Sequence, residues 1–399
     1  MSILLNILGM VVILGIMFLL SKNKKKIPVK LIIKAVIIQF IIAIILVKIP
    51  LGATVVGKIS DFVTEIITSG QSGLSFVFGS LADSSASAGF IFAVTVLGNI
   101  VFLSALVALL YYLGVLGFII KWIGKGIGKI LGTSEVESFV SVANMFLGQT
   151  DSPILVGKYI GRMTDSEIMV VLVSGMGSMS VSVLGGYVAM GIPMEYLLIA
   201  SALVPIGSII MAKMLIPQTE DVVHISNIKM DNKGNNSNVI EAISEGATTG
   251  MKIAASIAAV LIAMVALVAM LNKGFGLVGI SLEQIFSYIF APFAFFLGVD
   301  LEQVLPIGEL LGSKLVMNEF IAFESLGKII SSMDARTGMI TTISLCGFAN
   351  IASLGICVSG IAMICPEKRT VLAKNVLKAM IGGVAVSLFS AMIVGIVSI

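Results

Sequence analysis

Long apolar runs alternate along the chain with short basic loops, and two of the runs are interrupted by acidic and amide side chains. Ile3 to Leu20 and Leu31 to Leu51 are each long enough to cross the ~30 Å apolar core of a bilayer as a helix rising about 1.5 Å per residue. Lys22, Lys24, Lys25, Lys26 and Lys30 between them predict a cytoplasmic loop. Residues 53–87 mix apolar positions with Lys58, Asp61, Glu65 and a Gly/Ser-rich tail, which predicts a helix lying at the opposite interface. A third span, Ala88 to Val115, returns to the cytoplasm. There GFIIKWIGKGIGKILG sets Lys121, Lys125 and Lys129 four apart, one basic stripe on an amphipathic surface helix. Its GKGIGK core lacks both the Walker spacing and the preceding strand of a phosphate loop, so it reads as interfacial helix.

Within Ser141 to Arg162, Gln149, Thr150 and Asp151 sit side by side between apolar flanks. A carboxylate at membrane depth costs about 2.5 kcal/mol or more, so it faces protein or a watery cavity and marks a functional site. Residues 134–163 therefore predict two short helices joined at GQTDSP, with Pro153 marking the break, that enter and leave by one face. Glu167 to Ile192 is a fourth span whose centre carries Ser178, Ser180 and Ser182 among glycines, and Met194 to Leu215 is a fifth. The polar segment 217–238 then falls inside; its His224, the chain's one histidine, is assigned no role.

An amphipathic lead-in, Val239 to Thr249, precedes a sixth span, Met251 to Leu271, and an aromatic-rich outer surface helix, Ser281 to Leu297. A second broken region follows at 301–330, presenting Asn318 and Glu319. Gly338 to Ile364 and Val371 to Ile399 are the last spans, with the basic PEKRTVLAK between them inside.

Surface helix, broken hairpin and polar-centred span thus occur twice, from opposite sides. The expected fold is an all-α polytopic membrane protein with about eight transmembrane helices, two re-entrant hairpins and an inverted-topology repeat. Its divisions are 1–87 (two spans and a surface segment), 88–216 (first repeat), 217–249 (cytoplasmic loop and lead-in) and 250–399 (second repeat). Composition agrees: 58% hydrophobic and 12% charged residues exclude an ordinary soluble protein. The net charge of +3 comes from loop lysines and predicts no nucleic-acid partner. Cys346, Cys357 and Cys365 match neither zinc nor redox spacing and read as small core residues; the 22 methionines are scattered packing residues. The first apolar run is followed by SKNKKK rather than a small-residue cleavage site, so it reads as a retained helix.

Hairpin tips end short helices inside the membrane and leave backbone groups free to act as ligands. Carbonyls near Asn144 and Leu147, with the Ser178 hydroxyl, offer neutral oxygens suited to Na⁺; the competing reading of Ser178 is a helix-packing serine. For Asp151 and Glu319 the competing reading is a water-exposed hairpin end. Asn350 and Ser353 share a helix face, with Phe348 beside them, a set that suits a ligand with a polyhydroxy part and a flat ring. Interhelical hydrogen bonds worth roughly 0.6 kcal/mol each are the plainer alternative. A channel needs a continuous polar or carbonyl-lined pore and an intramembrane enzyme a nucleophile–base pair or metal set; the sequence offers neither. A secondary transporter fits.

At GQTDSP (148–153), GSMSVSVLGGY (177–187), MNEF (317–320) and CGFANIASLGI (346–356) the chain resembles the concentrative nucleoside transporters, from about residue 88 to its end, with 1–87 alike only in layout. The resemblance implies a trimer of eight-span protomers in the cytoplasmic membrane, importing nucleosides on a Na⁺ or H⁺ gradient without a cofactor. It implies Na⁺ ligation by Asn144, Leu147, Ser178 and Met179. Base contacts would come from Gln149, Thr150, Asp151 and Val183, and ribose contacts from Glu319, Asn350 and Ser353, with Phe348 packing alongside. An apolar contact from the sixth span is implied without a residue. The frame would be built from the third and sixth spans. Asp151 departs from the family's usual glutamate. Shortening by one methylene retracts the carboxylate about 1.5 Å, which admits a water or a purine and predicts purine-leaning uptake, the alternative being a proton-coupled pyrimidine carrier.

Overall fold

The computed structural model describes residues 2–83, 85–222 and 236–399, so His224 lies outside the described residues. Helices α1 (Ser2–Leu20) and α2 (Val29–Ala43) are joined through the lysine-rich turn. One π-helical turn, Ile44–Lys48, loosens the end of α2, and Pro50 opens α3 (Pro50–Phe78) at the position where a missing N–H costs nothing. α3 is amphipathic, exposing Leu51, Val55, Ile59 and Phe62 while burying Gly52, Val56, Ser60 and Ile67. It starts three residues before the expected 53 and stops at Phe78, short of 87.

The chain continues through α4 (Phe92–Thr95), α5 (Leu97–Tyr112) and α6 (Val115–Leu131), where Lys121, Lys125 and Lys129 are exposed. Next come α7 (Glu135–Ala143), α8 (Gly148–Leu155), α9 (Gly157–Ile160), α10 (Asp165–Gly177), α11 (Val181–Ala189) and α12 (Met194–Leu215). Capping boxes at Ser134/Glu137 and Thr164/Glu167 fix where α7 and α10 begin. The second series is α13 (Val239–Phe275), α14 (Leu282–Phe296), α15 (Leu301–Val316), α16 (Glu319–Ile329), α17 (Ala335–Leu345), α18 (Ile351–Ile364) and α19 (Arg369–Val397). Seven stretches among the described residues are long and apolar enough to cross a membrane, or eight where the bent α14–α15 pair is taken as one span; α17 and α18 together cover the seventh span expected from the sequence.

Four expectations need correction. The first hairpin does not turn at GQTDSP: its tip is Asn144–Leu147, and GQTDSP begins α8, where Gly148 has φ +80°. Pro153 lies inside α8, and the chain breaks at Val156, three residues beyond it. The fourth span is not continuous, since α10 stops at Gly177 and Ser180 caps a new helix, α11, by accepting from the Ser182 N–H. The seventh is broken too: Cys346–Asn350 is non-helical, with Gly347 at φ +100° and Asn350 capping α18. The expected lead-in and sixth span are, conversely, one unbroken helix, α13.

Burial divides the molecule. The apolar windows of α10–α11 and α12 are 89% buried and that of α19 83%, whereas α13 is 11% buried, so α13 belongs to the periphery. It meets α5 closely because Gly246 and Gly250 face Ala105, Ala108 and Ser104; a Cβ at either glycine would come within 2.9 Å of α5. In the centre, buried Gln39 of α2 donates to the Leu203 carbonyl of α12 and the Ser390 hydroxyl of α19.

Candidate functional site

The two breaks and the two hairpin tips meet. The Val181 N–H at the start of α11 donates to the Phe146 carbonyl of the first tip at 3.0 Å, and the Phe348 N–H donates to the Ser178 carbonyl at 3.1 Å. Gly347 lies against Gly177: a Cβ there would stand 2.8 Å from the Gly177 carbonyl oxygen. Only glycine allows two broken spans to cross so closely.

Around this crossing lies a cavity of about 290 Å³. Gln149, Thr150 and Asp151 from α8, Val183 from α11, Glu319 from α16, Phe348 from the second break, and Asn350 and Ser353 at the head of α18 all line it. Leu147 of the proposed ion set is also in the wall, while Asn144, Ser178 and Met179 are 0%, 1% and 2% exposed and outside it. Asp151 and Glu319, from hairpins of opposite halves, thus face one space.

Local capping explains how the polar groups are aimed. Asn318 accepts from the Ile321 N–H at 3.1 Å and starts α16, which puts Glu319 in the first turn, where a helix favours negative charge. Asn350 accepts from the Ser353 N–H at 2.9 Å with Oδ1 and donates Nδ2 to Glu319 Oε2 at 3.0 Å. The Tyr187 hydroxyl donates to Glu319 Oε1 at 3.4 Å, from a ring packed between Phe320 and Phe323 at 5.0 and 4.4 Å centroid separation. Across the cavity, Gln149 donates to the Ser353 hydroxyl at 3.3 Å and accepts from the Cys357 thiol at 3.1 Å. Asn350, Ser353 and Cys357 therefore form one stripe of α18 that holds hairpin 1 and hairpin 2 together.

At the first tip, Asn144 donates Nδ2 to the Ser174 hydroxyl at 2.8 Å, and its buried Oδ1 has no hydrogen-bond partner. The Ser178 hydroxyl donates to the Gly175 carbonyl at 3.2 Å.

The structure also brings in residues the sequence did not point to. Ile253, Ile257 and Val260 of α13 form an apolar stretch of the cavity wall, with Ser256 among them. Tyr187 and Cys357 act by orienting Glu319 and Gln149. Among the described residues two lysines are buried: Lys213 of α12 pairs with Glu137 of α7, and Lys314 of α15 reaches the second break. A lone lysine inside an apolar run is the same signal that singled out Asp151.

Family models match three segments: the Na⁺-dependent nucleoside transporter N-terminus over 8–81, a nucleoside-recognition gate over 93–194, and the Na⁺-dependent nucleoside transporter C-terminus over 196–395. The chain is 38% identical to the putative nucleoside permease NupX of Escherichia coli, covering 99% of both chains. It is 34% identical to the nucleoside permease NupC of Helicobacter pylori, covering 99% of this chain and 98% of that one. Among solved structures, CNTnw in an inward-facing substrate-bound state superposes with a TM-score of 0.94 at 37% identity, over 100% of this chain and 98% of that chain. A doubly substituted CNTnw in an outward-facing state gives 0.96 at 36% identity, over 100% and 99%.

Proposed function

This chain belongs to the Na⁺-dependent nucleoside transporter family and is a multi-pass nucleoside importer of the cytoplasmic membrane, and on that premise we propose that it is a Na⁺-coupled symporter leaning to purine nucleosides. The observation that carries this reading is the convergence of both hairpins and both broken spans on one cavity, with carboxylate, amide and hydroxyl at one end and an apolar wall from α13. Glu319 and Asn350 accept and donate to ribose hydroxyls; Ser353 adds a third contact. A charge-assisted bond to a sugar hydroxyl contributes about 1.5–3 kcal/mol, so this end provides most of the selectivity for nucleosides over free bases. Gln149, Thr150 and Asp151 address the base edge, Phe348 packs beside it, and Val183 closes the pocket.

Na⁺ sits, in this proposal, between the first tip and the first break, held by Asn144 Oδ1, the Ser178 hydroxyl and the carbonyls of Leu147 and Met179. The orphaned, buried Oδ1 of Asn144 supports it: a buried acceptor without a donor is the atom a cation would satisfy. An ion there braces the first tip, and with it Gln149, against the break that Phe348 is bonded to. Substrate and ion sites are thereby coupled without sharing an atom. Alternating access moves the two hairpins and broken spans against a frame of α5 and α13, assembled as a trimer. Proton coupling through Asp151 or Glu319 is the second reading, because both carboxylates face the cavity.

Uptake into proteoliposomes, with a nucleoside panel and separately imposed Na⁺ and H⁺ gradients, tests all of this. Saturable accumulation that collapses when choline replaces Na⁺ at fixed pH supports sodium; undiminished uptake rejects it. Uridine and cytidine outcompeting inosine and guanosine would remove the purine preference.

A further inference from the structure

The two hairpin units follow the same order of elements. α7, tip, α8, then α10, break, α11, then α12 in the first; α15, tip, α16, then α17, break, α18, then α19 in the second. Asn144 lies four residues before Gly148, the first residue of α8, and Lys314 five before Glu319, the first of α16. Asn144 is the C-cap of the incoming arm α7 and opens the first tip, and Lys314 lies in the last turn of the incoming arm α15, close to the second. Their surroundings are complementary in charge.

Lys314 is 2% exposed, and its ammonium donates to the Ser344 carbonyl at 3.1 Å, the Cys346 carbonyl at 2.9 Å and the Ser387 hydroxyl at 3.0 Å. The two carbonyls lie where α17 ends, and carbonyls at a helix C-terminus lack intrahelical donors and carry partial negative charge. Among the described residues no carboxylate pairs directly with Lys314; Glu319 acts on it only at longer electrostatic range. A cation is therefore held by three neutral oxygens, two of them main-chain, between a hairpin arm, the span broken opposite it and the following span. That is the chemistry proposed above for Na⁺ in the first unit. There the corresponding arm offers Asn144, an acceptor, in place of a charge.

We propose that Lys314 is a built-in substitute for the coupling ion: it permanently occupies in the second unit the place an exchangeable Na⁺ takes in the first. Hairpin 2 and the break that carries Phe348 and Asn350 are locked in register at all times, while hairpin 1 is locked only when the ion is present. The asymmetry leaves one ion-responsive half. This inference rests on the sodium reading for its comparison, but the lock itself can be tested without it.

The test compares the full-length protein with Lys314→Ala, which removes the ammonium and leaves its three acceptors and space, and Lys314→Met, which removes the charge but fills the space. Purified proteins are unfolded thermally in NaCl and in choline chloride, and uptake of the best nucleoside is measured against Na⁺. Lys314→Ala is expected to gain a Na⁺-dependent rise in melting temperature beyond that of the wild type, and a Hill coefficient for Na⁺ raised from about one toward two. Lys314→Met, with no room for an ion, raises the nucleoside KM about tenfold at any Na⁺ concentration, because the register of Asn350 is lost. An unchanged Na⁺ response in Lys314→Ala, or a wild-type KM in Lys314→Met, overturns the proposal. Should neither variant fold, Ser387→Ala decides: with one acceptor removed, KM rises about threefold at an unaltered Na⁺ slope, and an unaltered KM is the contrary result. Failure of the sodium reading appears in the wild type; failure of this inference appears only in the difference between variant and wild type.

Discussion

The two hairpins share a plan and are anchored at opposite ends. Hairpin 1 is pinned at its base: Lys213 of α12 pairs with Glu137 of α7 and donates to Ser166 at 3.0 Å, and Ser134 donates to Glu167 at 2.8 Å. Its tip is neutral, with Asn144 short of one partner. Hairpin 2 carries its buried cation near the tip, at Lys314, and the ion pair on its second arm, Lys328 with Glu324 at 2.5 Å, is largely exposed. Exposed pairs contribute about 0–1 kcal/mol, so that one does not hold the hairpin. A charge buried at the base fixes where a hairpin stands and leaves its end free to respond. Near the tip it fixes the end itself.

Lys213→Met strikes this contrast hardest. It strands Glu137 without a counter-charge, and breaking a buried pair from one side costs about 3–5 kcal/mol. Thermal unfolding in detergent should show that loss, and adding Glu137→Leu should recover most of it; a double variant as unstable as the single would mean the pair is not the anchor. Next comes Glu319→Gln, which keeps the shape but removes the charge from the bonds to Asn350 and Tyr187. Nucleoside KM is expected to rise about thirtyfold with the half-saturating Na⁺ little changed. Asn144→Ala should do the reverse, raising half-saturating Na⁺ about fivefold with the nucleoside KM at saturating Na⁺ nearly constant. If the two variants gave the same pattern, the separation of ion and substrate between the halves would be wrong.

The smallest effect concerns the caps that start the broken spans. Thr164 caps α10 and does not titrate, whereas Asp334 caps α17 by accepting from the Thr337 N–H at 3.0 Å. Burial pushes the Asp334 carboxyl up, but hydrogen bonds from Thr337 and Arg336 and the Arg336 charge outweigh it and hold the group below its ordinary 3.8. A depressed carboxyl stabilises the fold fully above the unfolded-state value of about 3.9 and loses that contribution as pH falls through the lower native value. Stability should therefore decline slightly on acidification below about pH 4, and Asp334→Asn should flatten that part of the profile. An identical acid limb in both proteins would assign it elsewhere.

The layout was legible because it is written in hydropathy: spans, basic loops and surface helices follow from run length and lysine placement. The polar face of the cavity was legible because Asp151 and Glu319 stand in apolar sequence, where a carboxylate is costly. The breaks in the fourth and seventh spans were not. GSMSVSVLGG and CGFANIASLG carry no charge, and their glycines, serines and asparagine suit close helix packing as well as they suit interruption. What decides is the backbone of Gly347 and the caps at Ser180 and Asn350, which depend on the crossing of two distant segments. The first tip was misplaced because Pro153 and the polar cluster drew attention four residues past the real turn. Lys314 went unread because a single lysine near a hairpin passes for one whose head reaches water.

Gly347 against Gly177 has one more implication. Two interrupted rods that touch through bare main chain, with the Phe348 amide fastened to the Ser178 carbonyl, behave like the blades of a pair of scissors sharing a rivet. Tilting either blade drags the other, so the element that feels the cation and the element that feels the cargo cannot swing separately, and even a methyl group added at the rivet would jam both.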